Sequence, residues 1–272
     1  MDLLRANMKF SMCCSGSKGN SFVLQDEDCI LVIDCGSTRR HLELSYQKCN
    51  INLDDVDACL ITHHHVDHIS QIKMFKNKEV YSACPIDDCF HFHLVKPFEK
   101  IMIKHLIITP LALSHDAENT VGYVIENEIE KLVYITDTGY LNESYYERLL
   151  GADYIIMESN HDIKMLMESK RPHFVKQRIF SDSGHLCNEN CAEILEQIVT
   201  KNTKQIILAH ISEEANTRQK ALEVNTEMLM RHKDCLNPHL TIVAAGQYEL
   251  VQGGNGNEEI SYSNYCCSLG LE

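Results

Sequence analysis

Six residues constrain this chain more than any other stretch: His63-His64-His65-Val66-Asp67-His68, directly after the apolar run Asp57 to Thr62. That run is short and bounded by polar residues, which predicts a buried strand. Four imidazoles and a carboxylate at a strand exit are the nitrogen and oxygen donors that a borderline divalent cation accepts. While the chain stays extended, residues two apart face the same side, so His63 and His65 can share one ion while His64 faces away. Asp67 and His68 fall where the chain should bend into a short helix, and they can serve a second ion close to the first. The loop is the seed of a two-metal centre, and it needs further histidines and a bridging carboxylate from elsewhere.

Composition narrows the setting. A length of 272 residues suits one large domain, and 44% hydrophobic residues supply a core. No long uncharged apolar run is present, so no membrane span is expected. The start, Met1 to Lys9, lacks the apolar core of a secretory leader, which predicts a cytoplasmic protein. The 13 cysteines are scattered without a Cys-x-x-Cys pair and read as reduced, buried small hydrophobes. A net charge of −14 argues against a broad basic footprint for nucleic acid, although metal ions and a local basic patch can serve a phosphodiester.

Read in order, a short polar lead and the turn-rich loop Ser15 to Asn20 precede a hairpin of strands, Ser21 to Leu24 and Asp28 to Asp34. Ser37 is placed to cap a helix running to about Cys49. After the histidine loop come strands near Glu79 to Ser82, Leu106 to Leu113, Val121 to Glu126 and Lys131 to Thr136. His91 and His93 lack the strand-then-loop context and read as ordinary histidines. His115 and Asp137 do follow apolar strands, on a rim where side chains from distant sequence can meet, and Asp137 reads as the bridging carboxylate. A helix over Leu141 to Leu150 and a strand over Asp153 to Met157 lead to Glu158-Ser159-Asn160-His161-Asp162.

Lys164 to Arg178 is the one distinctly basic stretch, and its place between two histidine motifs suits contact with an anionic substrate. His185 sits in a Gly-containing turn before a helix expected to be capped by Asn188, which suits a phosphate oxygen or protonation of a leaving group. His210 closes the next strand, Gln205 to Ala209, and is the remaining ligand candidate. A helix from about Glu214 to His232 and strands Leu240 to Ala244 and Tyr248 to Val251 complete the reading.

In this order Asp34, His63-x-His65-x-Asp67-His68, His115, Asp137 and His210 resemble the signature of the metallo-β-lactamase superfamily. The resemblance covers residues 8 to 252 and implies an α+β domain, a four-layer αββα sandwich of two similar halves with the metals at one edge. Residues 253–272 are expected to form a flexible tail. Three details look like the YycJ/WalJ-type bacterial branch: Ser15 to Asn20, Glu158 to Asp162, and Gly184-His185-Leu186 followed by Ala209-His210-Ile211-Ser212. Members of that branch are described as metal-dependent 5′-to-3′ DNA exonucleases with a suggested part in mismatch repair. The last pair is also similar to the transfer-RNA 3′-processing ribonucleases, in which a Gly-His element acts on the scissile phosphate.

The resemblance implies that His63, His65 and His115 hold one divalent ion, that Asp67, His68 and His210 hold the other, and that Asp137 bridges them. Zn²⁺, Mn²⁺ and Fe²⁺ all suit such ligands. It also implies that Asp34 orients ligands from behind, that His185 protonates or stabilises the leaving oxygen, and that Glu158 orients His185. Asp67 has a second possible role, accepting a hydrogen bond from the nucleophile. His161 contacts substrate or makes a structural hydrogen bond with Asp162, and Lys170, Arg171 and Arg178 face the substrate. The expected activity is phosphodiester hydrolysis on DNA. The alternatives are hydrolysis of a small cyclic phosphodiester, thioester or lactone on the same fold, and a metal-binding module without catalysis.

Overall fold

The computed structural model describes residues 8–254 and 265–268. Among the described residues the first sheet has seven strands, in the order β14 (Val251–Gly254), β1 (Lys9–Cys14), β2 (Ser21–Asp26), β3 (Cys29–Ile33), β4 (Ala58–Ile61), β5 (Glu79–Ser82), β6 (His91–Leu94). The second has eight: β15 (Cys266–Ser268), β13 (Thr241–Ala244), β12 (Gln205–Ala209), β11 (Tyr154–Glu158), β10 (Lys131–Ile135), β9 (Val121–Glu126), β8 (Leu106–Ala112), β7 (Ile101–Ile103). Helices are α1 (Arg39–Lys48), α2 (Val66–Ile69), α3 (Tyr146–Leu149), α4 (Ile163–Glu168), α5 (His173–Phe180), α6 (Asn188–Ile198) and α7 (Arg218–Leu229).

Period-two side-chain alternation builds the layers. Leu31 and Ile33 of β3 point between the sheets, where they meet Tyr123, Tyr134 and Ile156 of the second sheet. Val32, between them, points the other way and packs in the cluster that holds Leu42 and Tyr46 of α1. In β12, Ile207 and Ala209 face the inter-sheet core, whereas Ile206 and Leu208 face Leu195 of α6 and Leu222 of α7. Both faces of the central strands are covered, which is why they read as continuous apolar runs. The result is the expected helix-sheet-sheet-helix sandwich of α+β class.

The arrangement aims the strand exits at one rim. β3, β4, β5 and β6 run parallel, as do β10, β11, β12 and β13. β8 shares the direction of β10, because each pairs antiparallel with β9. The sheets are tied together at this rim: Tyr123 donates its hydroxyl hydrogen to the Ile61 carbonyl at 2.6 Å, and the Val121 N–H donates to Thr62 O at 3.0 Å.

Several local expectations change. The lead before Ser15 contains β1, a buried strand between β14 and β2, with Phe10 and Met12 in the inter-sheet core. Ser37 does not cap α1, since its backbone is left-handed at φ 99° and Thr38 accepts the His41 N–H instead. Cys187, not Asn188, caps α6, and Asn188 is buried in the first turn, bonded to Ser159 and Asn216. Leu141 to Leu150 holds only a 3-10 turn and the single turn of α3. The helix expected from Glu214 begins at Arg218, after its Thr217 cap, and passes into a 3-10 segment at Met230.

The last strand of the first sheet is Val251–Gly254 rather than Tyr248 to Val251, because its partner β1 sets the register. The boundary expected at residue 252 therefore falls inside β14, and Cys266–Ser268 pairs with β13. The readings of Met1 to Asn7 and of the rest of the expected tail lie outside the described residues. Among the described residues no helix is long and apolar enough to cross a membrane.

Candidate metal centre

The histidine loop takes its shape from what flanks it. β4 ends at Ile61, the chain stays extended through His65, which has φ −63° and ψ 148°, and α2 then begins at Val66. His63 is buried, His64 is exposed and His65 is half-buried, so the alternation expected from an extended strand exit is present. Asp67 and His68 lie in the turn of α2, and the helix brings their side chains together beside β3. Gly36 makes room for that turn, because a Cβ there would lie 1.6 Å from the Asp67 carbonyl oxygen.

The other candidates arrive from neighbouring strands. His115 follows β8, Asp137 follows β10, Glu158 ends β11 and His210 follows β12. His63, His65 and His115 each offer a ligand atom within 4.8 Å of the others, and so do Asp67, His68 and His210. Asp137 lies between the two trios. Its Oδ2 is 3.3 Å from His68 Nε2, while its Oδ1 is 3.4 Å from His210 Nε2 and 4.0 Å from His115 Nε2. Asp34, Asp137 and His210 all have left-handed backbone, with φ 59°, 59° and 53°. At roughly 1–2 kcal/mol each, that strain is offset by two or three buried Leu or Ile side chains at roughly 1.5–3 kcal/mol each.

Behind the ligand atoms stands a second ring of contacts. Asp34 accepts from His68 Nδ1 at 2.8 Å and from the Thr62 N–H at 2.9 Å. Glu158 takes His210 Nδ1 at 2.9 Å and His185 Nδ1 at 2.8 Å on one oxygen, and the Thr138 N–H at 2.9 Å on the other. His115 Nδ1 is 3.1 Å from Gly184 O, and His63 Nδ1 is 3.1 Å from Thr62 Oγ1. These contacts fix the rings and leave the Nε2 atoms of His63, His115 and His210 without a hydrogen-bond partner of their own.

The charges follow from the same contacts. Burial would push the His210 imidazole down, but Asp137, Asp67 and Glu158 overcome it and lift the group to about 10. His68 follows the same pattern: burial lowers it, and Asp34 and Asp137 raise it well above the usual value. Burial also pushes Asp34 up, against the pull of His68, whose Nδ1 lies 2.8 Å from Asp34 Oδ2. For Asp137 burial is outweighed by His210 and His68, which hold the carboxylate far below its usual range. Glu158, despite burial, is held at about 2 by His185 and His210. His63, by contrast, is pushed far down by burial and by the neighbouring His68, while burial, together with neighbouring imidazoles and against the pull of nearby carboxylates, leaves His65 and His115 lowered too.

Four buried atoms in this cluster have no hydrogen-bond partner: His63 Nε2, His115 Nε2, His210 Nε2 and Asp137 Oδ2. Each unpaired buried polar atom costs about 1–3 kcal/mol, so four on one rim signal a missing positive partner. Imidazole nitrogens and a carboxylate oxygen are the donors that Zn²⁺, Mn²⁺ or Fe²⁺ takes. The residues present fit two divalent cations sharing Asp137.

Other expected residues fall at varied distances from this core. His185 Nδ1 is 3.7 Å from Asp137 Oδ1, inside the cluster. His161 is buried, burial pushes it down to about 4, and neither ring nitrogen has a partner, so the hydrogen bond with Asp162 does not form. Asp162 instead caps α4 by accepting the Met165 N–H. Arg178 pairs with Asp116, whose Oδ1 is 3.3 Å from His115 Nε2, and Arg171 pairs with Glu214 at 2.8 Å. Lys170 is exposed.

Four further residues support the site, two from the Ser15 to Asn20 loop and one from the Glu158 to Asp162 run that the sequence singled out without giving them these roles. Ser15 Oγ accepts the His210 N–H at 2.7 Å, and Asn160 Nδ2 donates to His210 O at 2.7 Å. Asn20 Nδ2 is 2.9 Å from His68 Nε2, and its backbone N–H donates to Asp67 O at 2.8 Å. Asp116 was legible only as the residue next to His115. The other three lie in motifs the sequence marked, but their supporting roles were not legible, because their partners lie between 47 and 195 positions away.

Comparison with known proteins gives the family and the fold. A family model described as the beta-lactamase superfamily domain matches residues 30–211. Over 232 residues the chain is 33% identical to the exodeoxyribonuclease YycJ of Bacillus anthracis, covering 79% of this chain and 86% of that protein. It is 31% identical over 228 residues to the exodeoxyribonuclease WalJ of Streptococcus pneumoniae, covering 78% and 85%. Among solved structures it is similar to the metallo-beta-lactamase fold protein YhfI from Bacillus subtilis, with TM-score 0.68 at 17% identity, covering 91% of this chain and all of that one.

Proposed function

Because this chain belongs to the beta-lactamase superfamily, we propose that it is a dinuclear metal-dependent phosphodiesterase that removes nucleotides from DNA, in the 5′-to-3′ direction. The observation that carries the chemistry is the meeting of two ligand trios at Asp137 with His185 beside them. The kinship with two proteins named exodeoxyribonucleases supports DNA as the polymer. His63, His65 and His115 would hold one cation, Asp67, His68 and His210 the other, with Asp137 common to both. When bound, such a pair supplies positive charge that polarises a phosphoryl oxygen and acidifies water at the site.

The chain's own groups do the rest. Asp67 offers a carboxylate oxygen as hydrogen-bond acceptor to the attacking water and holds its lone pair toward phosphorus. His185 keeps one proton on Nδ1, donated to Glu158, and passes another from Nε2 to the leaving oxygen. Glu158 stabilises the imidazolium before transfer and fixes the ring in one orientation. Zn²⁺ or Mn²⁺ suits the ligand set, with Fe²⁺ also acceptable, and the setting is cytoplasmic DNA repair. A small phosphodiester is the second reading, favoured by the net charge of −14.

The test compares two variants of the metal-reconstituted protein on end-labelled DNA beside a generic phosphodiester. His65→Ala should lose metal and activity together. His185→Ala should retain about two ions per chain while turnover falls by about 10²–10⁴. Full DNA cleavage by metal-free protein would refute the mechanism, and cleavage of the small ester alone would move the substrate away from DNA.

A further inference from the structure

The basic stretch folds into an arm, α4 followed by α5, fixed to the metal rim by its last turn. The His185 N–H donates to Ile179 O at 2.9 Å. Gly184 lies so close to the arm that a Cβ there would be 2.3 Å from Arg178 O. Arg178 reaches Asp116, beside His115 and His65. The end of α5 is thus part of the same rigid edge as the cluster.

One helical turn before Arg178 stands Phe174, 71% exposed. Four residues at about 1.5 Å rise each put it roughly 6 Å along the axis from that arginine. A single exposed aromatic is ordinary on a protein surface, but the setting of this one is not. Residues 164–178 carry Lys164, Lys170, Arg171, Lys176 and Arg178 against one acidic residue, Glu168, in a chain whose net charge is −14. Phe174 also differs from Phe180 on the same helix, whose ring meets His161 edge-on at 6.3 Å. Among the described residues Phe174 has no aromatic partner. An exposed ring on a basic segment whose last turn is tied to the candidate metal rim combines the elements that hold a single strand: a stacking face for a base and positive charge for phosphates.

We propose that the α4–α5 arm seats single-stranded DNA, with an unpaired base stacked on Phe174 and backbone phosphates drawn to Lys164 and Lys170. The inference rests on the nuclease reading and deepens it, because it makes an unpaired strand, rather than intact duplex, the form led to the metals. Bases inside a duplex are already stacked on both faces and offer none to a side chain, so Phe174 contributes chiefly to an opened strand. The charge complementarity commits the surface to a polyanion. A second copy of this chain, acidic over the rest of its sequence, would bring no aromatic requirement for a base.

The experiment measures fluorescence polarisation of three hydrolysis-resistant phosphorothioate ligands with full-length, metal-loaded protein: oligothymidylate, an abasic strand of equal length, and a blunt duplex. Phe174→Ala and Phe174→Leu should each weaken oligothymidylate binding by about tenfold, the scale of one base–aromatic stack, while the abasic strand and duplex change little. Lys170→Ala should weaken all three and flatten their salt dependence. The proposal is overturned if Phe174→Ala leaves oligothymidylate unaffected, weakens all three ligands equally, or changes the sedimentation of the free protein, which would make the ring a self-contact. Wild-type protein that binds none of the three and cleaves only a small phosphodiester would remove the DNA reading itself. DNA cleavage with Phe174 indifferent would remove the arm alone.

Discussion

The two ligand trios that meet at Asp137 are held by different means. His63 and His115 are oriented by neutral groups, the Thr62 hydroxyl and the Gly184 carbonyl, and burial pushes their imidazoles down. His68 and His210 are oriented by buried carboxylates, Asp34 and Glu158, and are lifted instead. A neutral partner fixes a ring without changing its charge, whereas a carboxylate makes the imidazole a stronger base and a stronger ligand. The trio whose His63 and His115 are oriented at Nδ1 by neutral groups offers ready lone pairs. The other offers greater basicity, which a cation gains only by displacing protons. Glu158 extends that second treatment to His185, so one carboxylate serves both the proposed ligand His210 and the group proposed to transfer the proton.

The largest effect should come from the residue common to both sides. Asp137→Asn removes the charge shared by the trios and forfeits several kcal/mol of transition-state stabilisation, about a thousandfold in turnover. Metal analysis should show both ions weakened, and loss of only one would mean that Asp137 does not bridge. A smaller and one-sided effect is expected for Asp34→Asn, which leaves a neutral partner on His68: about 10–100-fold weaker binding of one ion, with the other retained. Competition with a chelator reads this directly, and equal weakening of both ions would erase the distinction between the trios. The smallest effect is structural. Ser15→Ala leaves the buried His210 N–H without its acceptor and should cost about 1–3 kcal/mol, seen as a lowered Tm of metal-free protein. An unchanged Tm would mean that the Ser15 loop does not hold His210.

Legibility in the sequence followed the range of the forces involved. His63, His65, Asp67 and His68 lie within six positions, and His115, Asp137 and His210 each follow an apolar run, so strand exits alone nominated them. β1 escaped because Ser11 and Cys13 on its outer face look polar or neutral, and only pairing with β2 and β14 makes Lys9–Cys14 a buried strand. The caps at Ser37 and Asn188 failed for a related reason. Both residues are good caps in isolation, but each is drawn inward by tertiary contacts, and the adjoining Thr38 and Cys187 take the role.

Sequence alone determined which atoms can bind metal, since imidazoles and carboxylates at strand exits are a local matter of residue type, period and apolar flanks. It also marked the charge of the 164–178 segment. Tertiary structure decided how those atoms are used. It placed Asp34 and Glu158 behind one trio and neutral groups behind the other, and it turned a basic run into an arm fixed beside His115 and His185. Electrostatic support depends on distance in space, and residues 34 and 52 positions apart become partners only when the strands that carry them share one rim.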